Sequence, residues 1–153
     1  MITAHLSDRL PEVSKLAVGS LTVSKMQAAL PADEAAAVLA YAFDSGINFT
    51  DTAQYYENYD LLRAALRRCR RPEDVVISTK TYAYSRELAE EAVEEARRAL
   101  DRDVIDIFML HERRASTPCA VIWRRLNTSS NAANVGSSVL SVRRCTIRQL
   151  CAG

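Results

Sequence analysis

The sequence predicts an α/β fold of parallel strands joined by helical crossovers. Strand-like and helix-like segments alternate from residue 14 to residue 111, and the helical ones carry start and stop signals. A further observation narrows the architecture. An open nucleotide-binding sheet wants a glycine-rich turn after its first strand, and "AVGSLTVSK" (17–25) is no GxGxxG. A (β/α) barrel is therefore favoured over an open doubly wound sheet.

The elements follow in order. "SKLAVGSLTV" (14–23) is a β-branched run with one glycine and predicts a buried strand. "LPADEAAAVLAYAFDSG" (30–46) predicts a helix, with Pro31, Asp33 and Glu34 suiting its first turn and Gly46 its C-terminal cap. "INFTD" (47–51) is a strand. "YDLLRAALRRCRR" (59–71) is an amphipathic helix stopped by Pro72. "DVVISTK" (74–80) is a buried strand by its apolar run. "SRELAEEAVEEARRAL" (85–100) is the clearest helix, with Leu88, Ala92, Ala96 and Ala99–Leu100 forming an inward stripe and Glu–Arg pairs outside. "DVIDIFMLH" (103–111) is the fourth strand.

Composition bounds the class. The chain of 153 residues, 48% hydrophobic and 25% charged, suits one soluble globular domain. Its +1 net charge hides an asymmetry: residues 1–113 hold all 19 acids and 14 of the 20 bases, a net of −5, whereas residues 114–153 hold six Arg and no acid. Cys69, Cys119, Cys145 and Cys151 form no CxxC pair and no zinc-type cluster with His5 and His111, so neither a metal nor a disulfide framework is expected. No leader and no apolar run of membrane length is seen, which predicts a cytoplasmic protein without a membrane partner.

In a barrel, chemistry sits at the C-terminal ends of the strands. The second strand ends in Asp51, the third in Lys80 and the fourth in His111, and Tyr56 follows Asp51 by five residues. Taken singly, Asp51 suits a cap, Lys80 a solvated strand end and His111 a structural role. Composition alone does not choose Tyr56 over Tyr55 or Tyr59. The set is more specific than its members. A tyrosine is a poor acid at neutral pH, with a pKa of ~10, and a neighbouring ammonium eases release of its proton to a developing alkoxide. Asp51 would hold Lys80 charged and in place, and His111 would orient a carbonyl oxygen against the tyrosine.

"GINFTDTAQYYENYDLLRAALR", "DVVISTK" and "ALDRDVIDIFMLH" together resemble the aldo-keto reductase family over about residues 13–113. The resemblance implies the first four strand–helix units of a (β/α)8 TIM barrel, a partial barrel followed by a non-matching tail. It also implies the catalytic tetrad Asp51, Tyr56, Lys80 and His111, with Tyr56 as general acid. NADPH would be the cofactor and an aldehyde or ketone the substrate. Most cofactor-binding loops would lie in the absent half, so no cofactor-binding residue is assigned. Glu57 departs from the glycine that many members carry after the tyrosine.

After His111 the vocabulary changes. Six scattered Arg and a single Trp123 are weak grounds for a nucleic-acid tail, and the Cys, Val, Leu and Ile content is high for a disordered one. A shifted reading frame is the third reading. Starting at the third base of codon 113 and choosing permitted synonymous codons, residues 114–142 can be read as ESEHTLRGHMEALEYLLKCRERGIIRAVG. AUA-UGG for Ile122–Trp123, for example, contains AUG. The shifted text holds a glycine-capped helix and a strand, and resembles the next unit of the same family. The expectation is a half barrel over 1–113 with a basic, out-of-frame tail over 114–153 of little defined structure. Such a chain would be weakly active or inactive, with exposed strand edges prone to self-association. The alternative is a non-catalytic, reductase-like interaction module.

Overall fold

Each crossover buries an apolar helix stripe against one face of a parallel sheet, and this sets the architecture. The computed structural model describes residues 1–6, 10–111, 139–143 and 146–150. Strands β1 (Thr3–Ala4) and β2 (Val13–Ser14) form an antiparallel pair. Then follow β3 (Val18–Gly19), α1 (Ala32–Asp44), β4 (Phe49–Asp51), α2 (Tyr59–Leu66), β5 (Val76–Thr81), α3 (Arg86–Leu100) and β6 (Val104–Leu110). Strands β3, β4, β5 and β6 are neighbours in that order and all parallel. The chain is thus an α/β partial barrel of four strands, with a helix after each of the first three. The place of a fourth helix lies outside the described residues.

The expected strand over 14–23 is broken into pieces. Ser14 is drawn away from the parallel sheet by β1 and by Asn48, whose side-chain carbonyl accepts from the Ser14 amide at 2.7 Å while the Asn48 backbone amide donates to Ser14 Oγ at 3.1 Å. Only Val18–Gly19 pairs with β4, and Ser20–Val23 then tightens into a 3-10 turn. Helix α1 ends as its sequence predicts, with Gly46 at φ 96° and its amide donating to the Phe43 carbonyl at 3.0 Å. Helix α2 stops at Leu66, short of the expected Arg71. The arginines beyond it turn to tertiary partners: Arg67 to Asp101, Arg68 to Asp33 and Arg70 to Asp44.

Ala35, Ala36, Leu39 and Phe43 of α1, Leu62 and Leu66 of α2, and Ala92, Val93, Ala96 and Leu100 of α3 enclose one core with Ile77, Ile105 and Phe108 of the sheet. Small alanines let α3 lie close. On the other face Phe49, Val76, Ile107 and Met109 pack with Leu10 and Val13, which close the N-terminal end. That face lines the barrel interior.

A buried polar network joins three segments next to the site. Asn58 Nδ2 donates to the carbonyl and the hydroxyl of Ser20, both at 3.0 Å, and Thr52 Oγ1 donates to Asn58 Oδ1 at 2.9 Å. Tyr59 shares a hydrogen bond with Thr79 at 2.7 Å, and burial pushes its hydroxyl pKa up to about 12. Removing Asn58 strands buried partners, each costing about 1–3 kcal/mol. Asn58→Ala should therefore lower stability by about 3 kcal/mol in urea unfolding. A loss within ~0.5 kcal/mol, the scale of an ordinary surface substitution, would show that water replaces the amide.

Ten residues of the tail are described, as β7 (Val139–Arg143) and β8 (Thr146–Leu150). Their β-branched and leucine content suits strands. Strand β7 pairs with β6, and β8 with β7, both antiparallel. A barrel's fifth strand would run parallel, so this hairpin does not continue the barrel. It also covers the β6 edge expected to be open, leaving β3 and β8 as the outer strands.

Candidate active site

Side chains alternate across a strand, so a residue two positions beyond an interior-facing one faces inward as well. Phe49 leads to Asp51, Val76 through Ser78 to Lys80, and Ile107 through Met109 to His111. Register supplies the rest: Asp51 pairs with Ser78, and Lys80 with Met109. Each site residue thus sits two positions further along than the partner of its neighbour, a stagger that tilted barrel strands require. All three reach the C-terminal mouth.

Lys80 Nζ donates to Asp51 Oδ1 at 2.8 Å, to Asp51 Oδ2 at 2.7 Å and to the Thr52 carbonyl at 2.7 Å. Three acceptors for three ammonium protons fix its position. The Lys80 side chain is 14% exposed against 40% for Asp51, so the cation is sheltered while the carboxylate keeps contact with water. Lys80 Nζ also lies 5.3 Å from the centre of the Tyr56 ring. The Tyr56 ring meets His111 edge-on, 5.8 Å between centroids at 79°. All four residues singled out in the sequence therefore assemble. Of the three tyrosines left open by composition, Tyr59 is buried on Thr79 and Tyr55 points to Tyr82, leaving Tyr56 beside both Lys80 and His111.

Three participants escaped the sequence reading. Gln54 accepts from Thr81 Oγ1 and donates to Glu95, both at 2.6 Å, tying the loop after β4 to β5 and α3. Asn58 looks like a helix cap but caps nothing with its side chain, serving Ser20 and Thr52 instead. Tyr82 stacks on His111. The available signal was that Tyr82, two beyond Lys80, shares its parity.

Glu57, the departure from glycine, adopts φ 49° and ψ 41°. This left-handed conformation costs an L-residue roughly 1 kcal/mol and glycine almost nothing. Glu57→Gly should raise stability by up to ~1 kcal/mol in urea unfolding. An unchanged or lower midpoint would show that the turn is relaxed with glutamate.

The described residues also line a cavity away from this mouth, among Glu12, Asp44, Asn48, Arg70 and Glu73. Among the described residues no helix is long and apolar enough to cross a membrane, and no three His, Cys, Asp or Glu gather for a metal. Cys69 is buried, donates to the Leu66 carbonyl at 3.3 Å, and has its pKa raised by that burial. Cys119, Cys145 and Cys151 lie outside the described residues.

Residues 15–143 match the Aldo/keto reductase family. The chain belongs to that family. As an aldo/keto reductase relative it is similar to a probable voltage-gated potassium channel subunit beta of Arabidopsis thaliana, 31% identical over an alignment of 129 residues that covers 76% of this chain and 39% of that protein. A solved structure from Pseudomonas aeruginosa, described as an aldo-keto reductase, superposes with a TM-score of 0.68 at 26% identity, over 83% of this chain and 53% of that one. The aldo-keto reductase of Bombyx mori in complex with NADP superposes with a TM-score of 0.58 at 21% identity, over 71% of this chain and 37% of that one, which speaks for the fold. The chain spans about half the length of these relatives, or less. The family match runs past Arg113, where the sequence reading ended the resemblance, largely over residues outside the described ones.

Proposed function

We propose that the site belongs to an NADPH-dependent reductase of aldehydes or ketones, with Tyr56 as general acid, and that this chain performs the reaction weakly or not at all. The observation that carries the reading is the sheltered Lys80, held by Asp51 and Thr52 beside the Tyr56 ring, which His111 meets edge-on. This donor set suits the reacting end of a carbonyl reduction. NADPH, when bound, supplies the hydride that reaches the carbonyl carbon. Tyr56 gives its hydroxyl proton to the carbonyl oxygen as negative charge develops there, and Lys80 steadies the phenolate left behind. Asp51 keeps Lys80 charged and placed. His111 orients the carbonyl oxygen toward Tyr56. The substrate is a small carbonyl compound, with no role for nucleic acid.

No described residue is assigned to the cofactor's phosphates. Arg67, Arg68 and Arg70 lie beyond the end of α2, before β5 and away from the mouth, each paired with an acid. Cofactor binding would depend on the half barrel that a shifted frame has replaced. We assign residues 114–153 to out-of-frame translation after loss of one base near codon 113. The antiparallel β7–β8 hairpin, where a barrel needs a parallel strand, supports this. The family match to residue 143 pulls the other way. Source DNA across codons 108–145 decides: if its wobble bases do not spell the helix–strand text, the frameshift is wrong.

Restoring one base should then yield a saturable NADPH fluorescence change on titration, absent from the present chain. A repaired chain that neither binds NADPH nor reduces any carbonyl would overturn the reductase reading. The second reading is a non-catalytic interaction module. It is favoured by the likeness to a channel subunit beta, and it predicts no saturable change in either chain.

A further inference from the structure

The 3-10 turn Gln54–Tyr56 delivers three consecutive side chains to one place. Gln54 holds Thr81, Tyr55 meets Tyr82 edge-on with centroids 5.8 Å apart at 88°, and Tyr56 meets His111 edge-on. The gap between the last two contacts is closed by Tyr82, whose ring lies 4.4 Å from that of His111 at 20°. The four rings form a continuous row, Tyr55–Tyr82–His111–Tyr56.

The backbone beneath Tyr82 is pinned on both sides. Thr81 pairs with Leu110, its carbonyl accepts from the His111 amide at 2.8 Å, and its hydroxyl both donates to Gln54 and accepts from the Ala83 amide at 3.2 Å. Tyr82 is thus carried to His111 by the β5–β6 register itself. The plane of an imidazole ring is set by rotation about its two side-chain torsions. A parallel aromatic face restricts that rotation, and Tyr55 in turn braces the face.

We infer that Tyr82 is a positioning residue: its stacked ring sets the plane of the His111 imidazole and so the direction in which His111 meets a carbonyl oxygen. The purpose of this device rests on the reductase reading; the device itself does not.

The test needs no substrate or cofactor, so its failure is separable from failure of the reductase reading. The chain contains two histidines, His5 and His111, so histidine-selective isotope labelling gives two imidazoles to follow by NMR. In the unaltered chain, ring protons of Tyr82 and His111 should show a direct nuclear Overhauser contact, with the His111 signals displaced upfield by the ring current. Tyr82→Phe should preserve that displacement. Tyr82→Leu, which keeps bulk but removes the aromatic face, should abolish it and broaden the His111 signals while leaving His5 unchanged. Absence of the ring-to-ring contact in the unaltered chain would overturn the inference, and this requires no variant to fold. So would His111 signals equally narrow and equally placed in Tyr82→Leu.

Discussion

Tyr56→Phe in the frame-repaired chain is expected to reduce carbonyl reduction by about 10²–10⁴-fold, the usual contribution of a positioned acid. The hydroxyl is the only group lost. The phenylalanine ring keeps the edge-on contact with His111 and the place beside Lys80, so folding should be unaffected. Because proton donation matters in the transition state more than in substrate binding, kcat and kcat/KM should fall together with KM nearly unchanged. Steady-state consumption of NADPH measures both. Reduction that survives the substitution would remove Tyr56 from its role and leave the choice between Tyr55 and Tyr59.

The largest effect on stability is expected from Phe108→Ala. Phe108 is 1% exposed and is the largest fully buried side chain among the described residues, standing in the core between the sheet and the helices. Truncating a buried phenylalanine costs about 3–5 kcal/mol through lost burial and the cavity left behind. Domains are stable by only about 5–15 kcal/mol, so a partial barrel near the lower figure would lose most of its folded population. Urea unfolding followed by circular dichroism checks it. A loss below about 1 kcal/mol would mean that the core collapses onto the cavity, or that the helices do not pack on β6 as described.

These predictions concern the C-terminal mouth and the helix-covered face of one sheet, which links stability to function. Ile105 and Phe108 hold the helices on one side, and Met109 and His111 line the interior on the other. Asp106 marks the irregularity between the two sets: its carboxylate accepts from the Ile77 amide at 2.9 Å, in place of a strand carbonyl. A change that loosens β6 would therefore disturb His111 without touching it.

The sequence by itself determined what depends on near neighbours. Helix α1 announced its start by Pro31, Asp33 and Glu34 and its end by Gly46, because these act within one turn of the chain. The apolar stripe of α3 and the apolar runs of β5 and β6 prescribed alternating helix and parallel strand, because periodicity is local. Asp51, Lys80 and His111 were legible for the same reason: each stands at a strand end, where a barrel puts its chemistry.

Only the tertiary structure decided contacts between residues distant in the chain. The run 14–23 reads as one strand, yet Asn48 and β1 compete for Ser14 and break it. Asn58 stands just before α2, yet Ser20, 38 residues away, claims its amide. Tyr82 reads as an ordinary tyrosine until the pairing of Thr81 with Leu110 stacks it on His111. Local patterns select elements, whereas strand register selects which side chains meet. Register is set by the packing of the whole sheet, since a slip of one residue would turn every side chain to the opposite face.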